Sequence, residues 1–203
     1  MALKNALIGL LAVGGLAAGC KSSPPRTTGF LGDYSRLEPF EDGLRYVDEE
    51  RLGGYSAFMI DPVILYFHDE QKEASMSAAD RRDLAAYMQN AVTKALSDKY
   101  GITYQAGPGV ARIRLALTDI EMSQPVLNII PTTMLTGIGL GGVSAEFELL
   151  DSQSGEQIAA AVLSQKGSRL SLSGLSRTGD AEAIMDDWAQ RLRTRVDEAR
   201  GSP

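Results

Sequence analysis

Residues 143–164 read VSAEFELLDSQSGEQIAAAVLS, and the prediction of the fold begins from the strand pattern in these residues. Apolar and polar residues alternate from Val143 to Asp151, which is the pattern of a strand with one buried face. Gly155 closes the loop 151–155 and can supply the positive φ that a tight hairpin needs. Residues 156–164 then return as the partner strand, so the stretch predicts a β-hairpin and favours an antiparallel sheet.

Other strand patterns lie upstream of this hairpin. They cover residues 56–67 and 110–120, with Pro62 marking an edge position or a bulge inside the first. Residues 102–105 are interpreted as a further short strand. Residues 29–54 are interpreted as irregular, because Gly, Pro and charged residues are scattered through them. Four aromatic residues are expected to pin this irregular segment to the domain: Phe30, Tyr34, Phe40 and Tyr46.

Two helices are predicted. Ser77 with Asp80 is a variant of the capping box, and apolar residues recur after it at helical spacing until Gly101. The second helix spans residues 180–199 in this interpretation. Trp188 lies at the centre of its apolar face, so we expect this side chain in the core.

These elements predict an α+β fold with a mainly antiparallel sheet of about four to five strands and two helices packed on one face. The other face carries Glu146 and Glu148 on one strand and Arg112 and Arg114 on another. Because an antiparallel sheet commonly keeps one face in water, we expect this face to be solvated. The arginines would then be cross-strand partners of the glutamates.

Composition excludes several function classes. The 203 residues include 20 Lys and Arg against 26 Asp and Glu, and the net charge of −6 argues against a nucleic-acid binder. With 44% hydrophobic residues, the chain can form a core. A single Cys cannot form an internal disulfide, and one Cys with one His does not make a conventional zinc site. The sequence therefore predicts no metal site, no cofactor and no catalytic set.

The first twenty residues, MALKNALIGLLAVGGLAAGC, have the organisation of an export signal. Lys4 supplies the positive charge, residues 6–18 form an apolar run, and Cys20 closes the segment. The run is shorter than the about 20 residues of a membrane-spanning helix. Residues 16–20 resemble a bacterial lipobox, in which small residues admit the chain to a peptidase and the thiol accepts diacylglycerol. An ordinary secretory signal, or a buried helix with a chance cysteine, is the alternative.

Lipidation of Cys20 defines the expected maturation. Removal of residues 1–19 leaves 184 residues with a side-chain charge of −7, and the new amine is then acylated, with palmitate as the expected acid. Two or three acyl chains anchor a protein stably, whereas one alone is marginal. Residues 20–28 form a flexible tether and residues 29–203 a single periplasmic domain. Because Lys21 rather than Asp follows the cysteine, the lipoprotein resemblance implies the outer membrane, with the domain facing the periplasm.

Three residues are candidates for catalysis. His68 lies in a polar turn beside Asp69 and Glu70, where a base next to carboxylates can activate a serine. Glu146 and Glu148 project from one strand face, and paired carboxylates can do acid–base work. No Gly-x-Ser-x-Gly motif accompanies them. A non-enzymatic module that binds an envelope protein or glycan is the main hypothesis. An envelope hydrolase or carbohydrate-binding enzyme using His68, Glu146 or Glu148 is the alternative.

The uncharged stretch 125–143 is the remaining unusual feature. Its glycine run, residues 137–142, precedes a strand rather than a helix, so it is not a phosphate-binding loop. Because an apolar surface that folding does not cover marks an interaction site, we expect this stretch to face a partner or the membrane. Burial against its own domain is the alternative.

Several short motifs occur in a characteristic order. They are GFLGDY at 29–34, IDPV at 60–63, GPG at 107–109 with RIRLALTD at 112–119, EFELLD at 146–151 with GE at 155–156, and WA at 188–189. In this order they resemble the bacterial lipoproteins grouped as domain of unknown function 3313, from Gly29 to Arg195. The resemblance implies an envelope lipoprotein with no assigned activity, and it supplies no catalytic residues.

Overall fold

The computed structural model describes residues 25–41, 43–67, 76–124, 140–168 and 176–201. Within these ranges the chain forms eight strands and three helices. The strands are β1 (Glu38–Phe40), β2 (Gly43–Val47), β3 (Ala57–Ile60), β4 (Ile64–Leu65), β5 (Gly101–Ile102), β6 (Val110–Glu121), β7 (Gly142–Asp151) and β8 (Gln157–Lys166). The helices are α1 (Glu49–Leu52), α2 (Ala78–Ser97) and α3 (Gly179–Ala199). The predicted α+β class is confirmed.

All eight strands belong to one mixed sheet. Seven follow the order β1-β2-β8-β7-β6-β3-β5, and β4 pairs with β6. The neighbours from β1 to β6 in this order are antiparallel, and β7 and β8 form the predicted hairpin. In contrast, β3 and β4 run parallel to β6, and β5 runs parallel to β3. The described residues thus contain more strands than the four to five predicted and three helices rather than two. The prediction of a mainly antiparallel sheet also missed the parallel pairing of β3, β4 and β5.

Two features of the sequence explain the missed strands. β1 and β2 lie within residues 29–54, and they are only three and five residues long, too short for a clear alternation. The strand predicted over 56–67 is two strands, β3 and β4, because Pro62 between them cannot donate a ladder hydrogen bond. The connection from β4 to β6 contains α2, and such a helical crossover brings the next strand back parallel.

Helices α2 and α3 pack on one face of the sheet, which we call the helix face. The hydroxyl of Ser77 accepts a hydrogen bond from the backbone N–H of Asp80 at 3.0 Å, so the predicted cap of α2 is confirmed. Trp188 of α3 is 2% exposed, which confirms its predicted place in the core. The buried residues of α2 recur at helical spacing: Leu84, Met88, Ala91, Val92, Ala95 and Leu96. They face the apolar residues of the central strands.

Residues 28–37 cross the opposite face of the sheet without regular secondary structure. We call this segment the strap and this face the strap face. Leu31 of the strap is buried against Ala160 and Val162 of β8. Partly buried side chains pack around this small second core: Phe30, Tyr34, Leu37 and Leu44. The expected pinning by Phe30 and Tyr34 is confirmed.

A buried aspartate fixes one end of the sheet. The carboxylate of Asp180, at the start of α3, accepts hydrogen bonds from the Ser123 hydroxyl at 2.8 Å and from the backbone N–H of Gly141 at 2.9 Å. A Cβ on Gly167 would lie 2.3 Å from Asp180 Cγ, so this position requires glycine. Val143 is also buried in the core. The last residues of the uncharged stretch therefore belong to the domain and not to a partner surface, whereas residues 125–139 lie outside the described residues.

Candidate functional site

Part of the helix face forms an open groove. Helix α3 lies over β7 and β8, and α1 contacts the start of β8. Between α3 and the strands β8, β2 and β1 there is a groove of about 520 Å³. Ligand sites commonly have volumes of about 300–1,000 Å³, so the groove is large enough to bind a molecule or a segment of chain.

Small side chains on β8 form the floor of the groove. Ala159 and Ala161 lie opposite Val47 and Arg45 of β2, and Leu163 extends the same row. Strand side chains alternate between faces, so these residues face the helices while their neighbours on β8 face the strap. Alanine leaves empty the volume that a larger side chain would fill. The floor is therefore both recessed and apolar.

Helix α3 forms a rigid apolar wall. The Trp188 ring packs edge-on against Phe147, with centroids 5.9 Å apart and an interplanar angle of 86°. Its Nε1–H donates a hydrogen bond to Gln165 Oε1 at 3.1 Å, which satisfies the indole. Leu192, one turn along α3, continues this wall. The position of the wall is thus fixed by the core itself.

The rim of the groove carries charges of both signs. They are three arginines and three acids: Arg45, Arg191, Arg195, Glu41, Asp187 and Glu198. Arg191 lies 2.8 Å from Asp187, and Arg195 lies 2.9 Å from Glu198. The Arg45 guanidinium lies over the Phe40 ring, 3.9 Å from its centroid. The formal charge of the rim is therefore zero, and a bound segment meets both donors and acceptors there.

On the strap face, Glu146 is fully buried and holds the start of the strap. Its Oε1 accepts a hydrogen bond from the backbone N–H of Thr28 at 2.5 Å, and its Oε2 accepts one from the Tyr34 hydroxyl at 2.5 Å. The Tyr34 oxygen in turn accepts hydrogen bonds from the backbone N–H groups of Gly29 and Leu31, at 2.9 Å and 3.0 Å. Burial, together with the hydrogen bond to Glu146, raises the pKa of Tyr34. Glu146 and Tyr34 therefore fold the strap into a tight turn on the sheet.

Glu148 is also fully buried, and it joins the strap to two other strands. Its Oε1 accepts hydrogen bonds from the backbone N–H of Gly32 at 2.7 Å and from Gln157 Nε2 at 2.8 Å. Its Oε2 accepts one from Arg114 at 2.6 Å, as the predicted cross-strand pair. The same guanidinium lies over the Phe30 ring, 4.8 Å from its centroid. Arg114 thus contacts both the sheet and the strap.

The expectation of a solvated second face is wrong for the two glutamates. Both have no exposed surface, because the strap supplies backbone N–H groups to their oxygens. A carboxylate can be buried when several donors satisfy it, and these two have five donors between them. Arg112 pairs with Asp61 at 2.7 Å rather than with a glutamate.

This geometry gives Glu146 and Glu148 a structural role. They face the strap, on the opposite side of the sheet from the groove, and their oxygens do not reach a surface where substrate could bind. They therefore do not support the alternative of a hydrolase that uses them.

Two other candidate residues, Cys20 and His68, lie outside the described residues, and their roles stay predictions. Within the described ranges, no three His, Cys, Asp or Glu side chains are grouped so that they could hold a metal ion. The helices of those ranges include none that is both long and apolar enough to cross a membrane.

The groove was not predicted from the sequence, although β8 contains a signal for it. Residues 159–161 are three consecutive alanines, and alanine is depleted in strands because it packs little surface. On a face covered by a helix, such residues leave space. The burial of the two glutamates had no comparable local signal, because the strap donors that cover them come from residues more than 100 positions away.

Comparison with known families agrees with the motif order. A family model described as "Protein of unknown function (DUF3313)" matches residues 26–192. The chain belongs to this family. The match includes the strap, the whole sheet and most of α3, so the DUF3313 region includes the floor of the groove and both buried glutamates. None of the curated proteins matches the sequence.

Several solved structures share a distant likeness with this DUF3313 protein. The PelC dodecamer from Paraburkholderia phytofirmans is 11% identical, with a TM-score of 0.41, and the match covers 68% of this chain and 88% of PelC. The hypothetical protein CT253 from Chlamydia trachomatis is 12% identical, with a TM-score of 0.43 and coverage of 70% and 98%. Lipoprotein GNA1162 from Neisseria meningitidis is 11% identical, with a TM-score of 0.34 and coverage of 68% and 96%.

Proposed function

We propose that this protein is an outer-membrane lipoprotein, anchored through acylated Cys20 and facing the periplasm, whose domain is a non-enzymatic binding module. The lipobox at residues 16–20 supports the anchor. The groove on the helix face is the observation that supports binding, because it is apolar, recessed and bordered by a rigid wall. The carboxylates considered for catalysis are instead used to hold the strap.

The dimensions of the groove favour an amphipathic helix of another envelope protein. Strands lie about 4.8 Å apart, so the floor of the groove from β8 across β2 to β1 is about 10 Å wide. A helix with its side chains is about 10–12 Å wide. From Ala159 to Leu163 the floor runs about 14 Å, which is between two and three helical turns. The partner helix would lie beside α3, on the same side of the sheet.

The chemistry of the groove also favours a protein segment over a glycan. An amphipathic helix buries apolar residues at i, i+3 and i+4, and the floor of alanine, valine and leucine matches such a face. Charged residues flanking that face would meet the arginines and acids of the rim. A glycan would need polar groups on the floor, where the described side chains are apolar.

A photo-crosslinking experiment in intact cells tests the binding site. A crosslinking amino acid replaces Thr194, on the exposed lip of the groove, and the matched control position is Lys94 on the exposed side of α2. We expect a protein adduct through residue 194 whose crosslinked peptide is an amphipathic helix. The substitution Ala161→Phe, which fills the floor, should abolish it without lowering the melting temperature. Adducts of equal yield from residue 94, an adduct that Ala161→Phe leaves intact, or capture of glycan alone would contradict the proposal.

The substitution Cys20→Ala tests the anchor. Because the acyl chains hold the protein at the membrane, we expect this variant to leave the outer-membrane fraction while the domain keeps its melting temperature. Fractionation of cell envelopes gives the result. Retention of a processed chain without acyl groups would show that another element anchors the protein.

A further inference from the structure

Two exposed hydrophobic side chains lie together on the strap face. Ile64 and Tyr66 of the β4 segment are 42% and 49% exposed, and in the described part of the chain only Tyr104 joins them as a large exposed hydrophobic residue. Ile64 pairs with Ala116, which in turn pairs with Glu146. Residues paired across strands share a face, so Ile64 lies on the same face as the buried glutamates, and Tyr66 follows it by alternation.

The tether leaves the domain beside these two side chains. Thr28 is held 2.5 Å from Glu146, and two strand spacings place Ile64 about 10 Å to the side of that glutamate. Cys20 lies eight residues before Thr28. A fully extended segment of that length spans at most about 29 Å, and a flexible one averages about 16 Å. An anchor at Cys20 therefore holds the strap face close to the lipid surface.

The chemistry of this patch suits a lipid surface. Charged side chains near it are paired, Arg112 with Asp61 and Arg114 with Glu148. The chain after Cys20 carries a side-chain charge of −7, so attraction to anionic lipids does not favour membrane contact. Isoleucine partitions into the acyl region, and tyrosine prefers the interface, where its ring is covered and its hydroxyl stays wet.

We infer that Ile64 and Tyr66 rest on the bilayer into which the acyl chains of Cys20 insert, so that the strap face points toward the membrane and the groove points away from it. This inference rests on the proposed lipid anchor. It adds an orientation, because the groove would then open toward the periplasm, where a partner can enter it.

Site-specific fluorescence on the acylated full-length protein tests this orientation. Cys20 is the single cysteine and its sulfur is blocked by lipid, so an introduced cysteine is the only reactive thiol. Tyr66→Cys and the matched control Tyr104→Cys are labelled with an environment-sensitive dye. Each protein is then reconstituted on vesicles of phosphatidylethanolamine and phosphatidylglycerol that contain a lipid with a quencher in its acyl chain. We expect about twofold quenching and a blue shift for the label at residue 66, and neither at residue 104.

A second variant tests whether the quenching depends on the native side chain of Ile64 or on the dye alone. Adding Ile64→Asn to the Tyr66→Cys protein should reduce the quenching, because the neighbouring apolar contact is lost. Equal quenching at residues 66 and 104, or none at residue 66 in vesicle-bound acylated protein, would overturn the orientation and leave the anchor intact. If the unsubstituted protein accepts the dye at Cys20 and does not bind vesicles, the proposed anchor itself is wrong. Protection of residue 66 only when a soluble envelope protein is added would assign the patch to a protein partner and overturn the inference.

Discussion

The two faces of the sheet are buried in different ways. The helix face is covered by α2 and α3 through apolar side chains, and its outer part is left open as the groove. The strap face is covered by residues 28–37, which have no regular structure and are held by hydrogen bonds to Glu146 and Glu148 as well as by the small core around Leu31. One face therefore depends on shape and apolar area. The other depends in addition on two buried carboxylates, which are satisfied by several hydrogen-bond donors.

The residues that stabilise the strap and the residues that form the proposed binding groove lie on opposite faces of the sheet. On the strap face, the glutamates that attract attention in the sequence have no exposed surface. The open face carries small and apolar residues that look unremarkable in the sequence, yet they form the groove. Substitutions on the two faces should accordingly differ in size and in kind.

The largest effect is expected from Trp188→Ala on the helix face. Truncating a buried aromatic side chain typically costs about 3–5 kcal/mol, and Trp188 would lose both its contact with Phe147 and its hydrogen bond to Gln165. For a domain of this size, thermal melts should show a drop of more than about 6 °C. Tyr104→Ala, at a position that is 90% exposed, is the matched control and should melt within about 1 °C of the wild type. An unchanged midpoint for Trp188→Ala would reject its role in this face.

A smaller loss is expected from Glu148→Gln on the strap face. The variant keeps the shape but removes the charge that Arg114 and the Gly32 N–H contact, which should cost about 2–3 kcal/mol, since Arg114 keeps part of its hydration. Denaturant unfolding measures the change. Glu156→Gln removes an exposed partner of Arg51 and should cost less than about 0.5 kcal/mol. An equal loss of unfolding free energy in both variants would mean that the buried Glu148 stabilises the domain no more than an exposed glutamate does.

The sequence predicted the helix face better than the strap face, for a physical reason. Helix α2, the β7–β8 hairpin and the core position of Trp188 follow from periodicity and capping, which are local signals. Glu146 and Glu148 also alternate correctly, but alternation shows only that they point away from the first core. Whether water or another segment meets them depends on residues 28–34, which contact them across more than 100 positions. The groove is missed because it depends on which strands the helices leave uncovered.

Tyr34→Phe should loosen the strap without unfolding the helix face. It removes the hydroxyl that donates to Glu146 and accepts from Gly29 and Leu31, a loss of about 1–2 kcal/mol. We expect faster proteolysis near Arg36 while the circular dichroism of the sheet is unchanged. Tyr104→Phe is the control, because its ring is almost fully exposed. A Tyr34→Phe protein cleaved as slowly as the wild type would contradict this role.

The smallest effect is expected for Asp151, whose carboxylate makes the stability of the helix face depend on pH. The backbone N–H of Ser154, followed by the Tyr55 hydroxyl, lowers the pKa of Asp151 from 3.8 to about 2. A carboxylate with a lowered pKa adds stability above its ordinary value, and this contribution is lost as the pH falls through about 2. Urea unfolding of the wild type and of Asp151→Asn should therefore differ at pH 5 and converge toward pH 2. A constant difference would show that this carboxylate is not responsible.

Hydrogen exchange at the Thr28 and Gly32 amides tests most directly whether Glu146 and Glu148 hold the strap on the sheet. Neither amide lies in a helix or a strand, and each donates to a buried glutamate. We expect both to exchange at least about 100-fold more slowly than in an unstructured peptide, and to lose this protection in Glu146→Gln and Glu148→Gln respectively. Exchange at the unstructured rate in the wild type would show that the strap is not held on the sheet and that the two faces do not differ as described.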